Sequence, residues 1–304
     1  MTIFVDPPIW PAHGTVFAHV VSDVSLDELH AFAERAGLRR GAFDEDHYDV
    51  PEHRYRDLVA LGATPVSGRE LARILAGCGL RVRSIERPSQ VLGRLGRAWS
   101  RLLPAAEHAD AADPHALGAE LLQRWSEPHR HYHGTTHLAA VLNGISLLHR
   151  AGELPDGDHR TVRLAAWFHD AVHEGTPEDE EDSARLAEHR LEGLMPPEEI
   201  ADVARLVRLT ATHDADVGDT GAAVLVDADL EVLGRTPAAY RRYAGQVRRE
   251  YPHVSDVAFQ RGRADVLARL LARPQLFRTA TGSGLWEKQA RENLRAELDR
   301  LRAE

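Results

Sequence analysis

Two hydrophobic periodicities divide this chain. Near the N-terminus the apolar residues come in short runs, Ile3–Val5 and Val16–Val21, which read as strands. Ser25 and Glu28 make a capping box for a helix through Arg35 that Gly37 stops. Pro51 opens a second helix predicted to end at Gly62, and Ser67 with Glu70 caps a third ending near Gly77. Strands mixed with three helices predict a small α/β or α+β domain over residues 1–88. Residues 89–114 read as a linker, where Arg-rich helical sequence gives way to the Ala/Asp/His run Ala105–Pro114.

From Leu117 onward the period changes to that of helices. Leu138, Val141, Leu142, Ile145 and Leu148 make one apolar stripe. Val162 to Val172 is apolar nearly all round and is predicted to be a buried helix. Further helices are expected from Thr176-Pro177, from Pro197, over Ala222–Leu233, from Thr236-Pro237, from Ser255 to Ala272 and over Leu285–Leu301. Residues 115–304 therefore predict an all-α domain of about eight helices.

Several of these helices carry ionisable residues among apolar neighbours, where an unpaired charge would cost several kcal/mol. His133 and His137 are four apart and share one side of a helix if both are helical; His137 borders the stripe that starts at Leu138. The dipeptide His-Asp occurs twice. His213-Asp214 runs into a polar helix end, whereas His169-Asp170 is enclosed by Ala165, Ala166, Trp167, Phe168, Ala171 and Val172. A buried Asp170 needs a partner, and an Arg would serve as well as a cation. Asp229 shares a helical face with Leu225, Val226, Val232 and Leu233 and is the preferred third contributor; Asp227, two residues back, is the second choice. His137, His169, Asp170 and Asp229 together offer nitrogen and oxygen ligands only, so Mn²⁺, Mg²⁺, Fe²⁺ and Zn²⁺ all suit them, one or two ions per site. A metal-activated water is then the nucleophile, with His133 placed to protonate a leaving oxygen and Arg130 and Tyr132 to orient a phosphoryl group.

Composition narrows the function more than the fold. The formal net charge of −10 over 304 residues argues against capture of nucleic acid or of an anionic membrane. No basic n-region precedes an apolar run, and no stretch approaches the roughly 18 apolar residues of a membrane span, so a cytoplasmic location is expected. Cys78 is the single cysteine, which rules out an internal disulfide and a thiolate cluster. Lys288 is the single lysine, so phosphate recognition would fall to Arg. Homo-oligomerisation is left open.

The order His…His-Asp…Asp on an all-α domain resembles the HD superfamily of metal-dependent phosphohydrolases, with 32 residues from His137 to His169 and 60 from His169 to Asp229. The closer resemblance is to bacterial HD phosphohydrolases carrying Arg-x-Tyr-His-x-x-x-His, Trp-Phe-His-Asp and Asp-Ala-Asp-Leu-x-x-Leu-Gly. Here these stand at Arg130–His137, Trp167–Asp170 and Asp227–Gly234. The Tyr-His-x-x-x-His segment also resembles the cyclic-nucleotide phosphodiesterases. That resemblance implies a proton donor at His133 and a metal ligand at His137, although Gly134 replaces their Asn and no base-recognition glutamine is located. It implies a small phosphorylated substrate, such as a nucleotide. Analogy with larger HD sites adds His213, Glu180, Glu181 and Ser183 as candidates for a second metal or the phosphate. Tyr243, with Arg248, Arg249, Arg261 and Arg263, is a candidate lining of a nucleotide pocket. An HD-type di-iron oxygenase and a non-catalytic nucleotide sensor are the competing readings. Ile3–Pro7, His19 and His47-Tyr48-Asp49 resemble a bacterial domain family of unknown function. Asp6, Asp23, His47 and Asp49 there make either a second acidic metal site or ordinary turn and capping residues.

Overall fold

The computed structural model describes residues 3–12, 14–81, 88–103 and 113–303. They form two compact units, Met1–Arg87 and Pro88–Glu304. In the first, a sheet in the order β4-β5-β3-β1-β6 is built from β1 (Ile3–Val5), β3 (Thr15–Ser22), β4 (Phe43–Asp44), β5 (His47–Pro51) and β6 (Thr64–Pro65), with β2 (Trp10–Ala12) also on β3. All pairs are antiparallel except β1 with β6. Alternation along β3 and β5 sends Ala18, Val20, Tyr48 and Val50 to one face, against Leu29 and Phe32 of α1 (Leu26–Arg35) and Leu58 of α2 (Tyr55–Ala60). Val21, on the other face, packs on Leu71 and Leu75 of α3 (Gly68–Gly77).

The caps are where the sequence puts them: Ser25 Oγ accepts from Glu28 N, and Ser67 Oγ from Glu70 N. Pro51 does not open a helix. It ends β5 opposite Phe17, and α2 begins only at Tyr55 after a 3₁₀ turn. Its missing N–H is tolerated at a strand end.

The second unit holds ten α-helices among the described residues: α4 (Pro88–Leu102), α5 (Pro114–Arg124), α6 (Thr135–Arg150), α7 (His159–Phe168), α8 (Asp179–Leu191), α9 (Pro197–Leu209), α10 (Thr220–Leu230), α11 (Pro237–Glu250), α12 (Asp256–Ala272) and α13 (Ala280–Ala303). No described residue of this unit is in a strand. None of these helices is long and apolar enough to cross a membrane.

The expected linker at 89–114 is corrected by α4. Its Val91, Leu95 and Trp99 recur every four residues and join the helical core, with Trp99 Nε1 donating to Pro114 O at 2.6 Å. Arginines flank that narrow stripe and hide it. Residues 104–112 lie outside the described residues.

At the centre, α6, α7 and α10 pack together. Gly144 of α6 faces Ala228 of α10 so closely that an added Cβ would sit 3.0 Å from the alanine Cβ. That approach lets the two helices cross closely, with Ala228 one residue before Asp229. The apolar run from Val162 stays helical only to Phe168, because the next backbone groups are satisfied from outside. Arg130 takes the carbonyls of Asp170 (2.6 Å) and Ala171 (3.2 Å), and Ser183 Oγ accepts from Val172 N at 3.0 Å.

Candidate metal centre

Three helix ends meet at one point. His137 lies in the first turn of α6, His169 and Asp170 directly follow α7, and Asp229 is the penultimate residue of α10. His137 Nε2 is 3.1 Å from His169 Nε2, 3.0 Å from Asp229 Oδ1 and 3.6 Å from Asp170 Oδ2. His169 Nε2 is 3.1 Å from Asp170 Oδ2 and 3.6 Å from Asp229 Oδ1. Atoms about 2.1 Å from a shared ion sit about 3.0 Å apart at adjacent octahedral corners and about 3.4 Å apart in a tetrahedron. His137, His169 and Asp229 therefore fit a divalent cation in spacing as well as in chemistry, with Asp170 on the other side of the two imidazoles.

The surroundings orient these groups for that role. His169 Nδ1 donates to Ala166 O at 2.9 Å, which fixes the ring so that Nε2 faces inward. Asp229 turns its second oxygen, Oδ2, to His213 Nε2 at 2.7 Å. His213, a candidate for the substrate or a second metal, thus braces a carboxylate. It does so from a left-handed backbone (φ 52°), held by Arg273 on the carbonyls of Thr212 and His213. Burial opposes ionisation of both carboxylates. His169, His133 and His137 outweigh it at Asp170, and His137, His169 and His213 at Asp229, holding both well below the usual carboxylate range.

His133 sits just outside this cage, its ring centroid 5.7 Å from that of His137. Its Nδ1 donates to Glu250 Oε2 at 2.6 Å, while Glu250 Oε1 accepts from the backbone N–H groups of His131, Tyr132 and His133 at 2.7, 2.7 and 2.8 Å. Burial works against a charged His133, but Glu250, Asp170 and Asp229 prevail and raise its pKa. Glu250 was not among the sequence candidates. Its signal is there in hindsight: an acid at the C-terminal end of a helix opposes the helix dipole and needs donors from elsewhere. His173 joins the same cluster, 3.7 Å from Glu250 Oε2.

Two candidates are corrected. Arg130 faces no substrate space: its buried guanidinium bonds Glu127 and the carbonyls of His133, Asp170 and Ala171, tying the loop before α6 to the end of α7. Asp227 faces away from the cage and caps α13. Its Oδ1 accepts from Arg278 N at 2.6 Å, and its Oδ2 from Thr279 N and Oγ1 at 2.8 and 2.6 Å. Two residues along a helix is about 200° of rotation, which is why only Asp229 faces inward. Asp227→Ala is expected to lower stability by about 1–3 kcal/mol, through unsatisfied buried donors, with metal content unchanged. Denaturant unfolding beside metal analysis checks both halves.

Tyr132 lies tilted against His137 (4.7 Å) and edge-on to Tyr243 (4.6 Å), so the two tyrosines wall one side of the cage. Arg263 donates to Tyr243 Oη at 3.3 Å and pairs with Glu297, and Arg248 pairs with Asp256. Arg261 is exposed. Glu181 pairs with Arg208 and Arg185, and Ser183 with the backbone of Val172. Burial and the nearby Asp170 raise the Glu180 carboxyl.

Residues 3–77 match the family described as "Protein of unknown function (DUF4031)". This agrees with the resemblance seen for the N-terminal domain and leaves the helical unit outside the match. No curated protein matches the chain.

Proposed function

We propose that the helical unit is a metal-dependent phosphohydrolase acting on a phosphate mono- or diester, such as a nucleotide. The observation that carries this reading is a pair of imidazole nitrogens, His137 Nε2 and His169 Nε2, 3.1 Å apart and each 3.0–3.6 Å from both Asp170 and Asp229, beside a histidine that is not part of the cage. The four side chains would hold one divalent ion, Mn²⁺, Mg²⁺, Fe²⁺ or Zn²⁺, which when bound supplies Lewis acidity toward a phosphoryl oxygen and a nucleophilic water near neutral pH.

The remaining work falls to the chain. His133, with Nδ1 fixed on Glu250, carries a proton on Nε2 and delivers it to the departing ester oxygen. His213 keeps Asp229 in its rotamer, and Arg130 keeps His133 and Asp170 at a fixed separation. Tyr132 and Tyr243 offer an apolar, aromatic side to the organic part of the ester. The two-iron oxygenase gains no support from His213, whose Nε2 is engaged with Asp229.

The test is a panel of phosphate mono- and diesters incubated with the chelator-treated chain and added Mn²⁺, Mg²⁺ or Fe²⁺. Ion-dependent release of phosphate or of an alcohol is expected. A chain that binds the ion and turns over none of the panel contradicts the assignment.

A further inference from the structure

We propose that the N-terminal unit carries a metal site of its own, in which His19, His47 and Asp49 hold a divalent transition-metal ion. The sheet register makes the juxtaposition. His19 on β3 pairs directly with Asp49 on β5, and His47 lies two residues before Asp49, so all three share the face opposite Val20 and Val50. Asp49 Oδ1 is 3.6 Å from His19 Nε2 and 3.4 Å from His47 Nε2, and the two imidazole rings meet edge to face at 4.9 Å. These separations are near the edge of about 3.4 Å expected for a tetrahedral ion with bonds of about 2.1 Å.

The second observation is independent of those distances. Each imidazole is fixed from behind by its own buried carboxylate. His19 Nδ1 is 3.0 Å from Asp6 Oδ2, and Asp6 also accepts from His19 N and from Trp10 Nε1. His47 Nδ1 is 2.6 Å from Asp46 Oδ1. Asp6 and Asp46 are each 1% exposed. A carboxylate on Nδ1 fixes the tautomer, turns the Nε2 lone pair outward and makes it a better donor to a metal. Two such carboxylate–histidine pairs aimed at one further carboxylate form a three-ligand set. Asp49 is 43% exposed, so the fourth corner opens to solvent, as at sites where the ion takes a water or a substrate. Two imidazoles and one carboxylate suit Zn²⁺ at this spacing. The competing account is a metal-free cluster of protonated histidines among acids.

Zinc titration of the chelator-treated full-length chain by calorimetry separates the two. One equivalent is expected to vanish in Asp49→Asn and in His47→Gln and to persist in His169→Gln. Asp6→Asn is expected to weaken that equivalent by about 10–100-fold. Because a histidine variant could disturb the sheet, the unaltered chain supplies a second readout. Imidazole nitrogen resonances of His19 and His47 are expected to shift on zinc addition. An unchanged zinc count in Asp49→Asn, or His19 and His47 signals indifferent to zinc, overturns the site and leaves the phosphohydrolase reading untouched.

Discussion

A chain carrying Asp170→Asn or His169→Gln is expected to lose the ion of its helical unit and its hydrolytic activity, with kcat/KM down on the order of 10³-fold or more. The magnitude follows from what is removed. Lewis-acid stabilisation supplies several kcal/mol, and about 4 kcal/mol corresponds to three decades of rate. Asp170→Asn is nearly isosteric, so the cage keeps its shape while the carboxylate charge is lost; His169→Gln removes the imidazole nitrogen and leaves a polar side chain of similar reach. Stability gives a second readout. An ion held only by the folded chain contributes about 2.7 kcal/mol at a hundredfold excess over its Kd. Added Mn²⁺ is therefore expected to raise the Tm of the unaltered chain and to leave both variants where they were. A variant that keeps the ion and the turnover rules out these residues as the cage.

The second large effect concerns Glu250, a positioning residue. Glu250→Gln preserves an acceptor for the three amides but removes the charge beside His133. Burial alone lowers the His133 pKa, and Glu250 is the first of the three acids, with Asp170 and Asp229, that reverse that. In the variant the proton is lost at lower pH, so the alkaline limb of kcat is expected to move down while KM holds. Near pH 8 a fall of roughly 10–10²-fold is expected, within the 10²–10⁴-fold that complete loss of a general acid causes. A pH–rate profile that does not move would sink the dyad.

The signs for stability run in opposite directions. Burial raises the Glu250 carboxyl, but His133, His173 and the His133 amide overcome it and leave it depressed. Its contribution is present above its ordinary value of 4.5 and is lost on acidification through the folded value. The raised His133 contributes fully below 6.5 and is lost as pH rises through its folded value. The pair is strongest between these limits.

What the chain reveals of itself depends on how local the cause is. Capping boxes at Ser25 and Ser67, the stripe from Leu138 and the all-round apolar run at Val162 act within a few residues, and helices lie there. His137, His169, Asp170 and Asp229 stood out because each is ionisable inside an apolar stretch. Partners far along the chain leave no such trace. Glu250 reaches back 117 residues to His133. Arg130 looked like a phosphate binder because a guanidinium forks toward any oxygen; its oxygens are carbonyls 40 and 41 residues on. Asp227 and Asp229 differ only in which way a helix turns them, and the cap on α13 that decides it comes from 51 residues later. β4 and β5 are short and half polar, so pairing with β3, not propensity, makes them strands.

The single oxygen of Glu250 that receives three successive amides also has a mechanical meaning. Residues 131–133 and the tip of α11 cannot fray separately, since releasing either strands the other's polar groups. His133 is thus mounted on a bracket that opens as one piece.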